Sequence, residues 1–202
     1  MEYDLEPVPG LPGVLPKGED ILWQGSPDWA GLAERAFHVR GIAVYFGILL
    51  VLAIWNGSSL GIFFTLAGGS AGIGLLYGLA WLSARSTIYT ITNKRVVMRY
   101  GIALPKAINL PFSQIGGAAI TRDRKGRADI PLALTGKHRL GYLQFWPHAR
   151  AWKLAKPEPM LRSLVDGDDV AKLLTDQLMA VQTSEAPSGN IQTSAATGAI
   201  LA

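Results

Sequence analysis

Residues 41–84 read GIAVYFGILLVLAIWNGSSLGIFFTLAGGSAGIGLLYGLAWLSA. This stretch of roughly 44 residues contains no Asp, Glu, Lys, Arg or His. A bilayer-crossing helix needs about 20 apolar residues, so the stretch is too long for one span and suits two. Asn56-Gly57-Ser58-Ser59 places a cluster of turn-forming residues at its middle. The reading is a transmembrane helical hairpin over 36–84, with helices at about Phe37–Trp55 and Leu60–Leu82. A helical pair in a soluble core would keep a polar face, and neither segment has one.

The flanks set an orientation. Arg35, His38 and Arg40 precede the first helix, and Arg85, Lys94 and Arg95 follow the second, while the turn carries no charge. Cationic flanks stay cytoplasmic, so both termini are expected there. Trp55 and Trp81 lie near helix ends, where indole prefers the interface. The acidic start Met1–Glu6 lacks the basic residues and early apolar run of a secretory signal, so the first helix is expected to be an uncleaved internal signal.

The second helix carries Gly68, Gly69, Ser70, Gly72, Gly74 and Gly78. Ser70, Gly74 and Gly78 recur every four residues and form one ridge, with Gly68 and Gly72 as a neighbouring pair. Ala43 and Gly47 repeat the spacing on the first helix. Small residues let helices approach closely in lipid. The ridge serves either packing within the hairpin or docking on another membrane protein or a second copy of this chain. Residues 41–84 hold no Asp, Glu, Lys, Arg or His, which argues against transport or a proton relay.

The composition agrees with a membrane segment plus one modest soluble domain: 202 residues, 49% hydrophobic and 17% charged. The net charge of +4 is scattered and suits an anionic membrane surface. With no cysteine, a disulfide framework, a thiolate metal site and a cysteine nucleophile are excluded.

Before the hairpin, residues 1–35 form an N-terminal cytoplasmic segment, Pro/Gly-rich over Pro7–Pro16, with a short strand at Ile21-Leu22-Trp23 before the Gly25-Ser26-Pro27 turn. After it, the periodicity becomes alternating. Candidate strands are Ser86–Thr92, Arg95–Gly101, Lys106–Leu110, Gly116–Arg122, Ile130–Thr135, Arg139–Phe145 and Ala151–Ala155. A last helix starts near Asp166 to Asp169, with Val170, Leu173, Leu174, Leu178 and Val181 on one face. The expected fold is a membrane α-helical hairpin plus a mainly β, pleckstrin-homology (PH)-like barrel over 85–182, with a C-terminal capping helix. Residues 183–202 lack periodic apolar residues and read as a disordered tail.

No constellation for catalysis appears. His38, His138 and His148 have no partner at metal-ligand spacing, and there is no GxSxG element, Walker loop or dinucleotide fingerprint. His38, at a helix boundary, is the one residue that could meet a chlorin magnesium, but no ligand motif supports a bacteriochlorophyll site, and no cofactor is expected. Arg122-Asp123-Arg124-Lys125-Gly126-Arg127 is the densest basic run. It reads as a solvated hairpin tip or, through Arg122, Arg124 and Lys125, as a contact for anionic lipid. No stacking aromatics interleave it, so nucleic acid is not an expected partner. In Phe145–Trp152, Phe145 and Trp152 are expected to point into the barrel, leaving Trp146 and Arg150 as a candidate partner surface.

Three features then combine: Gly18-Glu19-Asp20-Ile21-Leu22-Trp23-Gln24-Gly25-Ser26-Pro27, the hairpin, and Tyr89-Thr90-Ile91-Thr92-Asn93-Lys94-Arg95-Val96-Val97-Met98-Arg99-Tyr100-Gly101. With Leu110–Ile115 and Phe145–Arg150, the chain resembles the PuhB-type photosynthetic complex assembly proteins of purple bacteria over about Leu11 to Met179. The resemblance implies a non-enzymatic assembly factor for the photosynthetic reaction centre and core light-harvesting antenna, in the inner or intracytoplasmic membrane. Its implied partners are membrane subunits of those complexes. A lipid-sensing PH-like protein with a general envelope role is the alternative.

Overall fold

The computed structural model describes residues 10–11, 13–136, 141–150, 153 and 156–185. Within them the chain forms strand β1 (Ile21–Gly25), helices α1 (Trp29–Arg35), α2 (Val39–Trp55) and α3 (Ser59–Ser86), then β2 (Ile88–Thr92), β3 (Arg95–Tyr100) and β4 (Lys106–Pro111). After a 3-10 turn at Phe112–Gln114 come β5 (Ile115–Ala118), β6 (Thr121–Arg122), β7 (Ala128–Leu134), α4 (Tyr142–Phe145), β8 (Met160–Leu164) and α5 (Gly167–Glu185).

The strands form two open antiparallel sheets rather than the expected closed barrel. One has the order β1-β2-β3-β4; in the other β7 pairs with β5, β6 and β8. The main core lies between them, with Tyr89, Ile91, Met98, Ile130, Leu132 and Leu161 buried. Helix α5 begins one residue after Asp166 and closes this core with Val170, Leu174 and Leu178, as its apolar face predicts.

The N-terminal segment is not a separate unit. Ile21–Gly25 is the edge strand of the first sheet, paired with β2, so the apolar helices are inserted between two adjacent strands of one domain. The residues around it explain the pairing. Glu19 accepts a hydrogen bond from Arg95 Nε at 2.6 Å and one from Thr92 Oγ1 at 2.9 Å. Asn93 Nδ2 donates to Gly18 O, and Trp23 Nε1 donates to Asp166 Oδ2 at 2.6 Å. The Asn93-Lys94 turn is therefore clasped by the segment that precedes the helices in sequence.

Helices α2 and α3 pack antiparallel across the turn after Asn56. Ser58 caps α3, accepting from Gly61 N. The helix α3 runs on to Ser86, absorbing the start of the predicted strand there. Of the described helices, α3 alone is long and apolar enough to cross a bilayer. The 17-residue α2 reaches that length only with α1, across a 56° bend.

Three expectations fail or fall outside. Tyr142–Phe145 is a short helix where a strand is predicted. The predicted strand Ala151–Ala155 lies mostly outside the described residues, as do 186–202 of the predicted tail, while Thr183–Glu185 end α5. Strand β8 is not predicted, because Met160-Leu161-Arg162-Ser163-Leu164 shows no alternation: all five residues are buried. The core covers one face and α1 packs against the strand as well. Ser163 holds φ +50°, with its N–H donating to Asp129 Oδ1 and its carbonyl accepting from Asp28 N.

Gly31 makes that approach possible. A Cβ there would sit 2.7 Å from Ser163 Oγ and 2.9 Å from Arg127 Nη1. Both neighbours are buried, Arg127 is held by its ion pairs and Ser163 by its backbone hydrogen bonds, so Gly31→Ala should cost about 1–3 kcal/mol through overpacking, read as a lowered thermal midpoint.

Candidate functional site

The described residues present three surfaces at or near the apolar helices. The first is on α3. Its contact with α2 runs through Gly69, whose Cβ would meet the Phe46 ring at 3.0 Å, while Gly68 and Gly72 lie at its edges, 3.9 and 4.0 Å away. Helix α1 closes the other flank, with Leu32, Ala33, Phe37, Ala80 and Ala84 buried together and Trp29 edge-on to Tyr77. Ser70, Gly74 and Gly78 are exposed, and a Cβ at Gly74 or Gly78 would meet nothing within 4 Å. The ridge thus points away from the helix pair, and Gly69, outside the four-residue count, does the internal packing.

The second surface holds Trp146 and Arg150. Phe145 is fully buried, as expected, and Trp152 lies outside the described residues. Trp146 leans edge-on against Phe37 at 5.4 Å between ring centroids, and keeps 47% exposure. Arg150 pairs with Glu158 at 2.8 Å, and Lys153 shares that carboxylate. Each residue is thus held by its own contact within the chain.

The third surface is the basic turn between β6 and β7. It faces the α1–α2 elbow across a cleft of about 570 Å³ lined by Glu34, Arg35, Arg40, Asp123, Arg124 and Lys125, with Arg122. Arg122 pairs with Asp168 at 2.6 Å and Lys125 with Glu34 at 2.9 Å. Arg124 is exposed and has no carboxylate partner among the described residues. Behind the turn, Arg127 is 6% exposed and reaches Asp28, Glu34 and Asp123 at 2.8, 3.0 and 2.6 Å. Arg35 meets Asp129 at 3.0 Å. The Lys125 hydrogen bond, helped by Arg127, holds the Glu34 carboxyl below its ordinary value against the effect of burial. For Asp123, burial pushes upward, but hydrogen bonds from Arg127 and Lys125 outweigh it. Of the three predicted lipid-contact cations, Lys125 is therefore paired with α1 and Arg122 with α5, while Arg124 stays exposed.

Sequence reasoning leaves two further groups unseen. One is that clamp, whose members lie 93 and 99 residues apart in the Arg127 pairs to Glu34 and Asp28. The other is a buried relay around His148. Tyr89 Oη lies 2.7 Å from Nδ1 and Thr87 Oγ1 lies 3.1 Å from Nε2. Thr87 donates to Ser83 O, and Tyr89 Oη accepts from Arg162 N. These partners assign a neutral ring protonated at Nε2, giving one directed chain from β8 to the end of α3.

Burial, and then the charge of Arg162, lower the His148 pKa to about 3. The folded value lies below the unfolded one, so the unfolded chain takes the proton first. Stability is full above about pH 6.5 and falls as the pH drops toward 3, by about 2 kcal/mol between pH 6.5 and 5. His148→Gln should flatten this slope in denaturant titrations across that range; an unchanged slope would assign the acid sensitivity elsewhere.

A family profile described as Bacterial PH domain matches residues 32–178. A curated relative from Rhodobacter capsulatus, printed as an uncharacterized 23.7 kDa protein in the puhA 5' region, is 36% identical over 193 residues, covering 89% of this chain and 88% of its own. No solved structure matches. The sheets and the capping helix agree with the family match: the chain belongs to the bacterial PH-domain family.

Proposed function

We propose that this chain is a non-catalytic, two-pass membrane protein that assists assembly of the photosynthetic reaction centre and its core antenna. The outward ridge Ser70-Gly74-Gly78 would dock on helices of those complexes, and the PH-like domain would sit on the cytoplasmic face of the inner or intracytoplasmic membrane. The observation that carries the reading is the exposed, uncharged helix pair with its small-residue ridge turned outward. Val44, Ile48, Val51, Leu52, Ile54, Phe63, Phe64 and Leu66 are each at least 51% exposed, a surface that water disfavours and lipid accepts. The photosynthetic part rests on the sequence resemblance and on the puhA neighbourhood printed for the relative.

The lipid-sensing alternative draws on the basic turn, and the ion pairs of Arg122 and Lys125 leave Arg124 as its main support. Deleting the gene in a photosynthetic host should lower reaction-centre levels while pigment synthesis continues. Normal reaction-centre accumulation would sink the assembly reading.

A further inference from the structure

Helix α3 is 28 residues long. At 1.5 Å per residue it spans about 42 Å, against about 30 Å for the hydrocarbon core of a bilayer. In a membrane-anchored chain its last turns, from Trp81 to Ser86, would reach the head-group level. Trp81 and Arg85 suit that level: both residues are exposed, and the guanidinium lies 5.4 Å from the indole centroid. A single residue, Thr87, then separates α3 from β2.

The sheet register brings a second apolar element beside these turns. Ile88 pairs with Arg99 and Tyr100 with Lys106, so the connection between β3 and β4 closes at the α3 end of the sheet. It reads Gly101-Ile102-Ala103-Leu104-Pro105, with no polar side chain. Ile102 is 47% and Leu104 76% exposed. Ile102 lines a cavity of about 300 Å³ together with Leu82 and Arg85, so this connection and the end of α3 share one opening. Leu82 is itself 41% exposed. Turns in water draw on Gly, Pro, Asn, Asp and Ser. Here a glycine closes the bend, at φ +123° and with no room for a Cβ beside Leu104 O, and aliphatic side chains form the tip. At its base stands Lys106, exposed and without a carboxylate partner among the described residues.

We propose that the β3–β4 connection is a membrane wedge: Ile102 and Leu104 enter the cytoplasmic leaflet beside the end of α3, while Lys106 and Arg85 stay among anionic head groups. The wedge rests on the membrane anchorage of α3 proposed above. Lipid is the occupant that fits, because the tip continues the exposed apolar surface of α3 through Leu82 and Trp81 and has cations at its base. A stable protein–protein interface buries about 800 Å² on each partner, more than two aliphatic side chains supply. Acyl chains need no such area and no shaped receptor, since the helix pair already holds the chain. The contact would set which face of the sheet domain meets the bilayer.

The chain has no cysteine, so a single one can carry an environment-sensitive nitrobenzoxadiazole probe. Full-length protein with Leu104→Cys, Lys94→Cys or Leu75→Cys is labelled and reconstituted in vesicles of equal phosphatidylcholine and phosphatidylglycerol, with or without a nitroxide on the lipid acyl chains. Lys94 is exposed at the opposite end of the β2–β3 hairpin, roughly 17 Å along the strand, and Leu75 is 63% exposed on α3. The nitroxide lipid should quench the probe at 104 about threefold more than the probe at 94, and adding Ile102→Asp should remove most of that difference. Equal quenching at 104 and 94 overturns the wedge. So does a blue-shifted probe at 104 that the lipid does not quench, which would mean a protein partner or a second copy on the tip. Undiminished quenching with Ile102→Asp also overturns it, since the probe itself would then drive insertion. The probe at 75 separates the two readings. If the lipid fails to quench it, the anchorage and the wedge fall together, whereas quenching at 75 with 104 at the level of 94 overturns the wedge alone.

Discussion

Leucine at both Gly74 and Gly78 should leave the chain in the membrane at its normal level and lower reaction-centre accumulation about tenfold, the equivalent of about 1.4 kcal/mol of docking energy. A Cβ at either position meets nothing within 4 Å among the described residues, so the added bulk has no internal target there. It would hold a partner helix away from the α3 backbone. Gly69→Leu makes the contrast, because its Cβ already meets Phe46 at 3.0 Å. That variant should lower the level of the chain itself by forcing α2 and α3 apart. Immunoblots for the chain and an absorption spectrum for the reaction centre read the two effects separately. Wild-type reaction-centre levels in the Gly74/Gly78 variant would remove the ridge as a docking surface.

Arg127→Ala should destabilise the protein by about 3 kcal/mol, because it leaves three partly buried carboxylates facing one another without their common cation. The carboxylates of Asp28, Glu34 and Asp123 retain 26, 18 and 15% side-chain exposure, so water offsets part of the loss. Arg127→Lys should recover part of it, since a point charge cannot fork to three partners as guanidinium does. The pH dependence identifies the clamp. Glu34 and Asp123 have folded pKa values below their unfolded ones, so their contribution is full above the ordinary carboxylate range and is lost as the pH falls through the lowered values. The clamp is therefore constant between about pH 5 and 8, where His148 gives a slope. A denaturant midpoint unaffected by Arg127→Ala at pH 7 would remove the clamp from the account of stability.

The clamp also gives the fold a working logic. Helix α1 links the apolar pair to the sheets, and it is held by Arg127 and Arg35 together with the close Gly31–Ser163 approach. The His148 relay joins the end of α3 to β8. Both connections from the helices into the domain are thus braced by buried polar groups with specific partners.

Much of this architecture was legible in the sequence because its causes are local. An uncharged stretch interrupted by Asn-Gly-Ser-Ser determines two apolar helices, since burial of apolar surface needs no knowledge of what lies beyond. The Asn93-Lys94 turn between alternating runs determines the β2–β3 hairpin, and the apolar face of 170–181 determines the capping helix. Tertiary structure decided the rest. Strand β8 escaped because packing on both sides removes the alternation by which strands are recognised. The β1 strand was visible, but its place beside β2 depends on pairs such as Glu19–Arg95, separated by the whole helix pair. The sequence placed Ser70, Gly74 and Gly78 on one ridge, yet a ridge has a function only relative to its surroundings. Which glycine faces Phe46, and which face open space, is set by how α2 and α1 wrap α3, and that rotation follows from contacts no local spacing encodes.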